Sequence, residues 1–241
     1  IPKGVTMIGN SAFEDCTSIK EITIPEGVTE IQHVTFGGCT SLASVTIPES
    51  VTKIRTQVFK DCTSLESVVV AEGNPVYDSR EGCNAIIETE TNTLIASCKT
   101  TFIPESVTRI GQYAFSGCTS PKNITIPEGV IYIGERAFMN CTSLEGITIA
   151  TSVKEIETFA FCCSSLKEVT ILEGVTEIKK SAFKDCTSLK EIIIPESVKT
   201  IGDYAFAGCT SLESIVIPKG VTMIGNSAFE DCTSIKEITI P

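Results

Sequence analysis

Twelve cysteines, thirty acidic residues and one histidine are the side chains of this 241-residue chain that could ligate, cross-link or catalyse. Nine of the cysteines recur at one phase of a repeat: Cys16, Cys39, Cys62, Cys118, Cys141, Cys163, Cys186, Cys209 and Cys232. A cysteine held at a fixed phase among Phe and Leu reads as a small buried hydrophobe. Stacked coils would bring such thiols within about 5 Å of one another. A disulfide also demands a particular dihedral angle, so free buried thiols are expected. Glu168 and Glu191 share a second phase in successive repeats, about one strand spacing apart, which is the carboxylate separation of a retaining glycosidase. Lys167 and Lys190 beside them point to charge balance instead, since nothing flanks the pair that would drive its two pKa values apart. Glu26, Glu49, Glu105, Glu128, Glu173 and Glu196 line up as an acidic ridge, but spaced single carboxylates make a poor calcium cage, and a solvated ridge is expected. His33 sits where other repeats carry Asn10, Thr56 or Gln112, and reads as loop surface. No nucleophile elbow, phosphate loop or zinc spacing occurs. No enzyme activity, catalytic residue, cofactor or metal is therefore predicted. Asn123-Ile124-Thr125 and Asn140-Cys141-Thr142 fit the N-glycosylation pattern, which matters only in a eukaryotic secretory pathway.

These residues are positioned by a unit of the form IPxGVTxIxxxAFxxCTSLxxIx, whose opening Ile falls at Ile1, Ile24, Ile47, Ile103, Ile126, Ile149, Ile171, Ile194 and Ile217. A period of 23 residues means stacked coils, none of which can bury its apolar side alone. In Leu42-Ala43-Ser44-Val45-Thr46-Ile47 the alternation sends Val45 and Ile47 to the core and Ser44 and Thr46 to solvent. Stacking aligns these segments into a parallel sheet with one strand per repeat. Pro25 and its equivalents lack a ladder donor and end the strand. Val28 to Ile31 then forms a shorter extended piece with Val28 inward. Ala12-Phe13 and Cys16 have helical spacing, enough for about one turn. With no Trp, the core is aliphatic with Phe as its large filler.

Three departures stand out. The unit opening at Ile149 is one residue short, at Cys162-Cys163-Ser164-Ser165-Leu166, which should tighten a loop without breaking the stack. Pro121 replaces the usual Leu or Ile and should weaken the strand start before Ile124. Residues 70–102 form a unit ten residues longer than the rest. Within it, 83–87 and 94–98 flank Thr89-Glu90-Thr91-Asn92 and read as a β-hairpin. Pairing Ile87 with Leu94 sets Cys83 opposite Cys98, the one cysteine pair expected to be able to form a disulfide. A loop longer than its scaffold needs is a place for binding residues, here Tyr77, Asp78 and Arg80, or else a purely structural insertion.

The joint phases of Phe, Cys and Ile in IPxGVTxIGxxAFxxCTSLxxI closely resemble the BspA-like class of leucine-rich repeats, and the 70–102 unit resembles a longer unit of that class. The resemblance covers essentially the whole chain. It implies a right-handed leucine-rich-repeat solenoid, β-rich with short helical turns and an inserted hairpin. It also implies a surface or secreted location and, in several members, adhesion to host matrix proteins or other cells. No catalytic or binding residue carries over from it.

The domain expected is one solenoid over 1–241, with regular repeats at 1–69 and 103–241 around the 70–102 unit. Its binding surface is expected on the sheet's exposed face, along the column Glu21, Ser44, Ser67, Asn123, Glu168, Glu191, Ser214 and Glu237. The neighbouring column of Thr23, Thr46, Val69, Thr125, Thr148, Thr170, Ile193, Val216 and Thr239 is explained by strand propensity. Protein or glycan partners at an extracellular or cell-surface location fit this reading. A formal charge of -11 argues against nucleic acid, and no stretch approaches the roughly 20 apolar residues of a membrane span. The opening on Ile rather than Met, with no signal peptide, reads as a piece trimmed from something longer. Residues 1–25 and 217–241 are identical, which suggests a block duplicated within a longer array. The ends read as uncapped, so a spacer or fibre-forming solenoid that self-associates end to end is the alternative function.

Overall fold

A computed structural model of the chain describes residues 1–119 and 122–240. The expectation for Pro121 lies outside the described residues. The chain winds as a β-solenoid, and each regular coil contributes two short strands. The first strand of each coil pairs in parallel with its neighbour at the predicted phase: Glu21 opposite Ser44 and Ser44 opposite Ser67, then Asn123, Gly146, Glu168 and Glu191 in sequence, and Ser214 opposite Glu237. Burial alternates as predicted in Ser44–Ile47, with Val45 and Ile47 in the core and Ser44 and Thr46 exposed. The short second piece also forms a ladder, two residues per coil, as in Met7–Ile8 against Glu30–Ile31 and Lys53–Ile54. A coil thus carries two pairing strands where sequence patterning indicates one.

The segment around Phe is not a helical turn. Helix formation would commit each N–H to its own coil, whereas here the N–H groups alternate. Ser11, Phe13 and Asp15 donate to the carbonyls of His33, Thr35 and Gly37 in the next coil. Ala12, Glu14 and Cys16 close tight turns on Gly9, Ser11 and Phe13. The geometry requires a left-handed residue twice per coil, such as Ser11 (φ 54°) and Asp15 (φ 57°). Pairing between coils satisfies the backbone better than one isolated helical turn, whose end groups would remain orphaned.

Inside, the Phe side chains stack face to face. Rings lie 5.5 and 5.8 Å apart along Phe13, Phe36 and Phe59. From Phe115 through Phe138, Phe161, Phe183 and Phe206 to Phe229 the spacings run from 4.8 to 5.4 Å. Beside them, Cys39, Cys62, Cys141, Cys186, Cys209 and Cys232 each donate their thiol to the carbonyl of the Phe one coil earlier, at 3.0 to 3.2 Å. These cysteines are free, as expected.

The short unit keeps the stack in register, since Glu155 and Ile156 pair with Glu177 and Ile178. It changes which residue joins the thiol column, however. Ser164, three residues after Phe161, takes the place that Cys163 was expected to fill: its N–H closes on the Phe161 carbonyl and its hydroxyl meets Cys186 Sγ at 3.3 Å. The missing residue is lost after this point, where one residue replaces the usual Thr-Ser, so Cys163 falls in the left-handed turn position instead (φ 57°).

The long unit interrupts the Phe stack between Phe59 and Phe115. Its hairpin forms as predicted, with Ala85–Glu88 antiparallel to Thr93–Ser97. Thr93–Ser97 also pairs in parallel with Arg109–Ile110, and Tyr77–Asp78 adds antiparallel to Ala85–Glu88. The hairpin is apolar on both sides. Ile86 and Ala96 pack into the core of the preceding coils, while Ala85, Ile87 and Leu94 pack into that of the following ones. It is a septum between two stretches of core.

A β-bulge between Ile86 and Ile87 corrects the expected disulfide. Ile87 does face Leu94, but beyond the bulge Ala85 faces Ser97, a shift of one residue. That slip sends neighbouring side chains to opposite faces. Cys83 therefore joins the following core and Cys98 the preceding one, both as free thiols.

Candidate functional site

The predicted column on the sheet face is continuous within each ladder. It brings Glu168, Glu191 and Ser214 together with Lys167, Lys190 and Glu213 around one shallow depression. A second depression beside it is lined by Asn123, Thr125, Gly146, Thr148, Glu168 and Thr170. Glu21, Ser44, Asn123, Glu168, Glu191, Ser214 and Glu237 are exposed and Ser67 is half-buried. Short strands flanked by Pro-led turns hold these side chains outward at the spacing of the coils.

The lysines beside Glu168 and Glu191 do not pair with them. Lys167 bonds Glu145 at 2.9 Å and Lys122 reaches the same carboxylate at 3.0 Å, one residue before the strand in successive coils. Hydrogen bonds from Lys167 and then Lys122 hold the Glu145 carboxyl below the usual range. The same row continues as Lys236 to Glu213 at 3.5 Å. Charge balance runs along this row, one position off the Glu168 column. Glu168 and Glu191 face each other across parallel strands on an open surface.

The neighbouring column carries a signal that strand propensity hides. Ile193 is 76% exposed and Val216 59%, side by side in successive coils, and Val69 is 42% exposed. Most coils place Thr at this position, so the aliphatic pair beside Glu191 and Ser214 is an apolar spot rimmed by charge.

Within the insertion the three candidates lose their freedom. Tyr77 is buried, and its hydroxyl accepts the Ile54 N–H at 3.0 Å, which commits the side chain to packing. Asp78 takes both Nε and Nη2 of Arg80 at 2.7 to 3.1 Å, and Arg80 Nη1 donates to Asn92 Oδ1 at 2.7 Å. This fork clamps the start of the hairpin to its turn. Asn74 acts similarly, donating to the Pro48 and Val51 carbonyls.

All six glutamates of the acidic ridge are exposed, as expected of a solvated ridge, and two of them also bind the next coil. The Glu173 carboxylate accepts the N–H groups of Glu196 and Ser197 at 3.1 Å each, and Glu128 accepts the Thr151 hydroxyl. His33 is exposed, with Nδ1 3.0 Å from the Thr56 hydroxyl. Three cation–aromatic contacts escape sequence reading: Arg109 lies over Tyr132 at 4.2 Å, and Arg136 lies between Tyr113 (5.6 Å) and Phe159 (4.8 Å). Their partners are one coil apart, which only the repeat register would reveal.

The family model for the BspA type leucine rich repeat region matches residues 1–83, 86–212 and 176–241. The chain belongs to the BspA-type leucine-rich repeat family. Among solved structures, this BspA-type chain is similar to a leucine rich cell surface protein from Faecalibacterium prausnitzii, with 33% identity and a TM-score of 0.72 over 99% of the chain. It spans 58% of that protein's length. It is also similar to the pneumococcal vaccine antigen PcpA, at 25% identity and a TM-score of 0.71, covering 99% of this chain and 55% of that one. A leucine-rich repeat protein from Eubacterium ventriosum shares the fold, with 24% identity, a TM-score of 0.64 and coverage of 100% and 83%. No curated protein matches the chain in sequence.

Proposed function

We propose that this BspA-type chain is a non-enzymatic binding rod of the cell surface or extracellular space, which engages protein partners through the sheet face between Asn123 and Val216. The observation that carries the reading is the exposed pair Ile193 and Val216 beside Glu191, Ser214 and the lysine–glutamate row. An apolar centre with a polar rim is how protein interfaces are built. The likeness to a leucine rich cell surface protein supports the location. Among the described residues no helix is long and apolar enough to cross a membrane. The insertion serves the reading as a septum that keeps coils on either side in one stack, not as the contact surface.

Binding of the chain to immobilised host matrix proteins (collagen, laminin, fibronectin) and to a glycan array tests this. The I193D/V216D variant, altered only on the exposed face, should lose binding to the protein partner while keeping its melting temperature. Unchanged binding by that variant refutes the sheet face as the contact. Binding confined to the glycan array replaces a protein partner with a carbohydrate one. A chain that binds nothing but associates with itself favours the spacer or fibre.

A further inference from the structure

In the coil opening at Ile149 two adjacent sulfurs stand outside the structural role that thiols play elsewhere in the stack. Where Cys39, Cys141 and Cys209 each donate to a Phe carbonyl, that place is taken by Ser164. Cys162, a residue 4% exposed, holds its Sγ 3.3 Å from that of Cys163. Asp185 of the next coil brings its Oδ2 to 4.0 Å from Cys163 Sγ. All three donor atoms lie within 4.8 Å of one another.

The chemistry of this cluster is specific. Two thiolates and a carboxylate form a three-ligand set suited to a borderline-soft divalent ion such as zinc or cadmium, and ill suited to calcium or magnesium, which take oxygen donors. Tetrahedral zinc, with bonds of about 2.3 Å to sulfur and 2.0–2.2 Å to oxygen, sets its donors about 3.5–3.8 Å apart. The sulfurs, 3.3 Å apart, are closer than that, and Cys163 Sγ and Asp185 Oδ2, 4.0 Å apart, are farther, so small side-chain rotations would seat the ion. Cys162 is buried, Cys163 half-buried and Asp185 exposed, so a fourth position opens toward solvent. Two donors come from one coil and the third from the next, so the ion would pin the coils together where the unit is short.

We propose that Cys162, Cys163 and Asp185 form a binding site for a single thiophilic divalent ion of the zinc and cadmium class. On binding, both thiols release their protons to solvent, and two metal–sulfur bonds and one metal–oxygen bond form with no change in oxidation state. The site lies in the turn segment that follows Phe161, away from the sheet face, so it stands or falls separately from the proposed function.

The test is a titration of the fully reduced chain with cadmium, followed by the sulfur-to-cadmium charge-transfer absorbance, with zinc then added as competitor. One equivalent of cadmium should bind saturably, and zinc should displace it one for one. Cys163→Ser should weaken binding by about 100-fold or more, and Asp185→Asn, at an exposed position, by about tenfold. Asp185→Asn keeps the test decisive if the cysteine variant folds poorly by circular dichroism. Cys232→Ser, which removes a half-buried thiol of the regular column, should leave the titration unchanged. Absence of a saturable single equivalent, retention of full affinity in both Cys163→Ser and Asp185→Asn, or an equal loss in Cys232→Ser would overturn the assignment.

Discussion

Replacing Phe138 by alanine probes the interior stack most directly. Phe138 is fully buried, with Phe115 at 4.8 Å on one side and Phe161 at 5.1 Å on the other. Removing a buried Phe costs about 3–5 kcal/mol through lost transfer energy and the cavity left behind. Each ring pair adds about 0.5–1.5 kcal/mol. Part of that is already counted in mutational values, so Phe138→Ala should cost about 4–6 kcal/mol. Phe13 has the same phase but one ring neighbour, Phe36 at 5.5 Å, and is only half-buried. Phe13→Ala should therefore cost about 2 kcal/mol, below the range for a fully buried Phe. In a solenoid stability is a sum of nearest-neighbour terms, so the loss should stay local. Hydrogen exchange read by mass spectrometry, coil by coil, is the assay, because a single unfolding midpoint is poorly defined for a repeat array. Faster exchange concentrated in the coils of Phe115, Phe138 and Phe161 is the expected pattern. Equal effects of the two substitutions, or a loss below about 1 kcal/mol at Phe138, would refute a stack in which each ring is sealed by two others.

Three further outcomes follow from the same geometry. Burial pushes the Cys62 and Cys186 thiols up to about 12, whereas an unfolded thiol titrates near about 8.5. The stability they contribute is whole below that lower value and is lost as pH rises toward the higher one, at roughly 1.4 kcal/mol per pH unit per thiol. Urea unfolding followed from neutral to strongly alkaline pH should show this decline, with a shallower slope in the Cys62→Ala/Cys186→Ala variant; an unchanged slope would contradict it. Ser197→Ala removes a hydroxyl that accepts the Gly174 N–H at 3.1 Å and donates to the Val175 carbonyl at 2.7 Å. It should destabilise by about 1–2 kcal/mol at constant m-value in urea. Tyr77→Phe orphans the Ile54 N–H and should lower stability by about 1 kcal/mol while leaving any binding by the sheet face untouched; a binding defect without a stability change would restore Tyr77 as a contact residue.

Much of the architecture is legible in the chain because phase within a coil is a local property. The alternation in Leu42 to Ile47, the fixed places of Phe and Cys, and the turn Thr89-Glu90-Thr91-Asn92 each report which way a side chain points before any coil touches another. The same phases placed Glu168, Glu191 and Ser214 on one face. The aliphatic pair Ile193 and Val216 was visible too, but β-branched residues suit any strand, so exposure had to distinguish an apolar contact spot from ordinary propensity.

What only the folded chain decides is who meets whom across coils, because that depends on counting register rather than on pattern. One extra residue at the Ile86–Ile87 bulge separates Cys83 from Cys98 by a whole sheet face. Because the missing residue falls after Ser164, counting from Phe161 puts Ser164 in the thiol column and Cys163 beside Asp185. The helical spacing of Ala12, Phe13 and Cys16 is overridden because alternate N–H groups find carbonyls in the next coil. Lys167 turns from Glu168 to Glu145 because side chains at matching positions of stacked coils lie closer, and point more nearly alike, than neighbours on one strand.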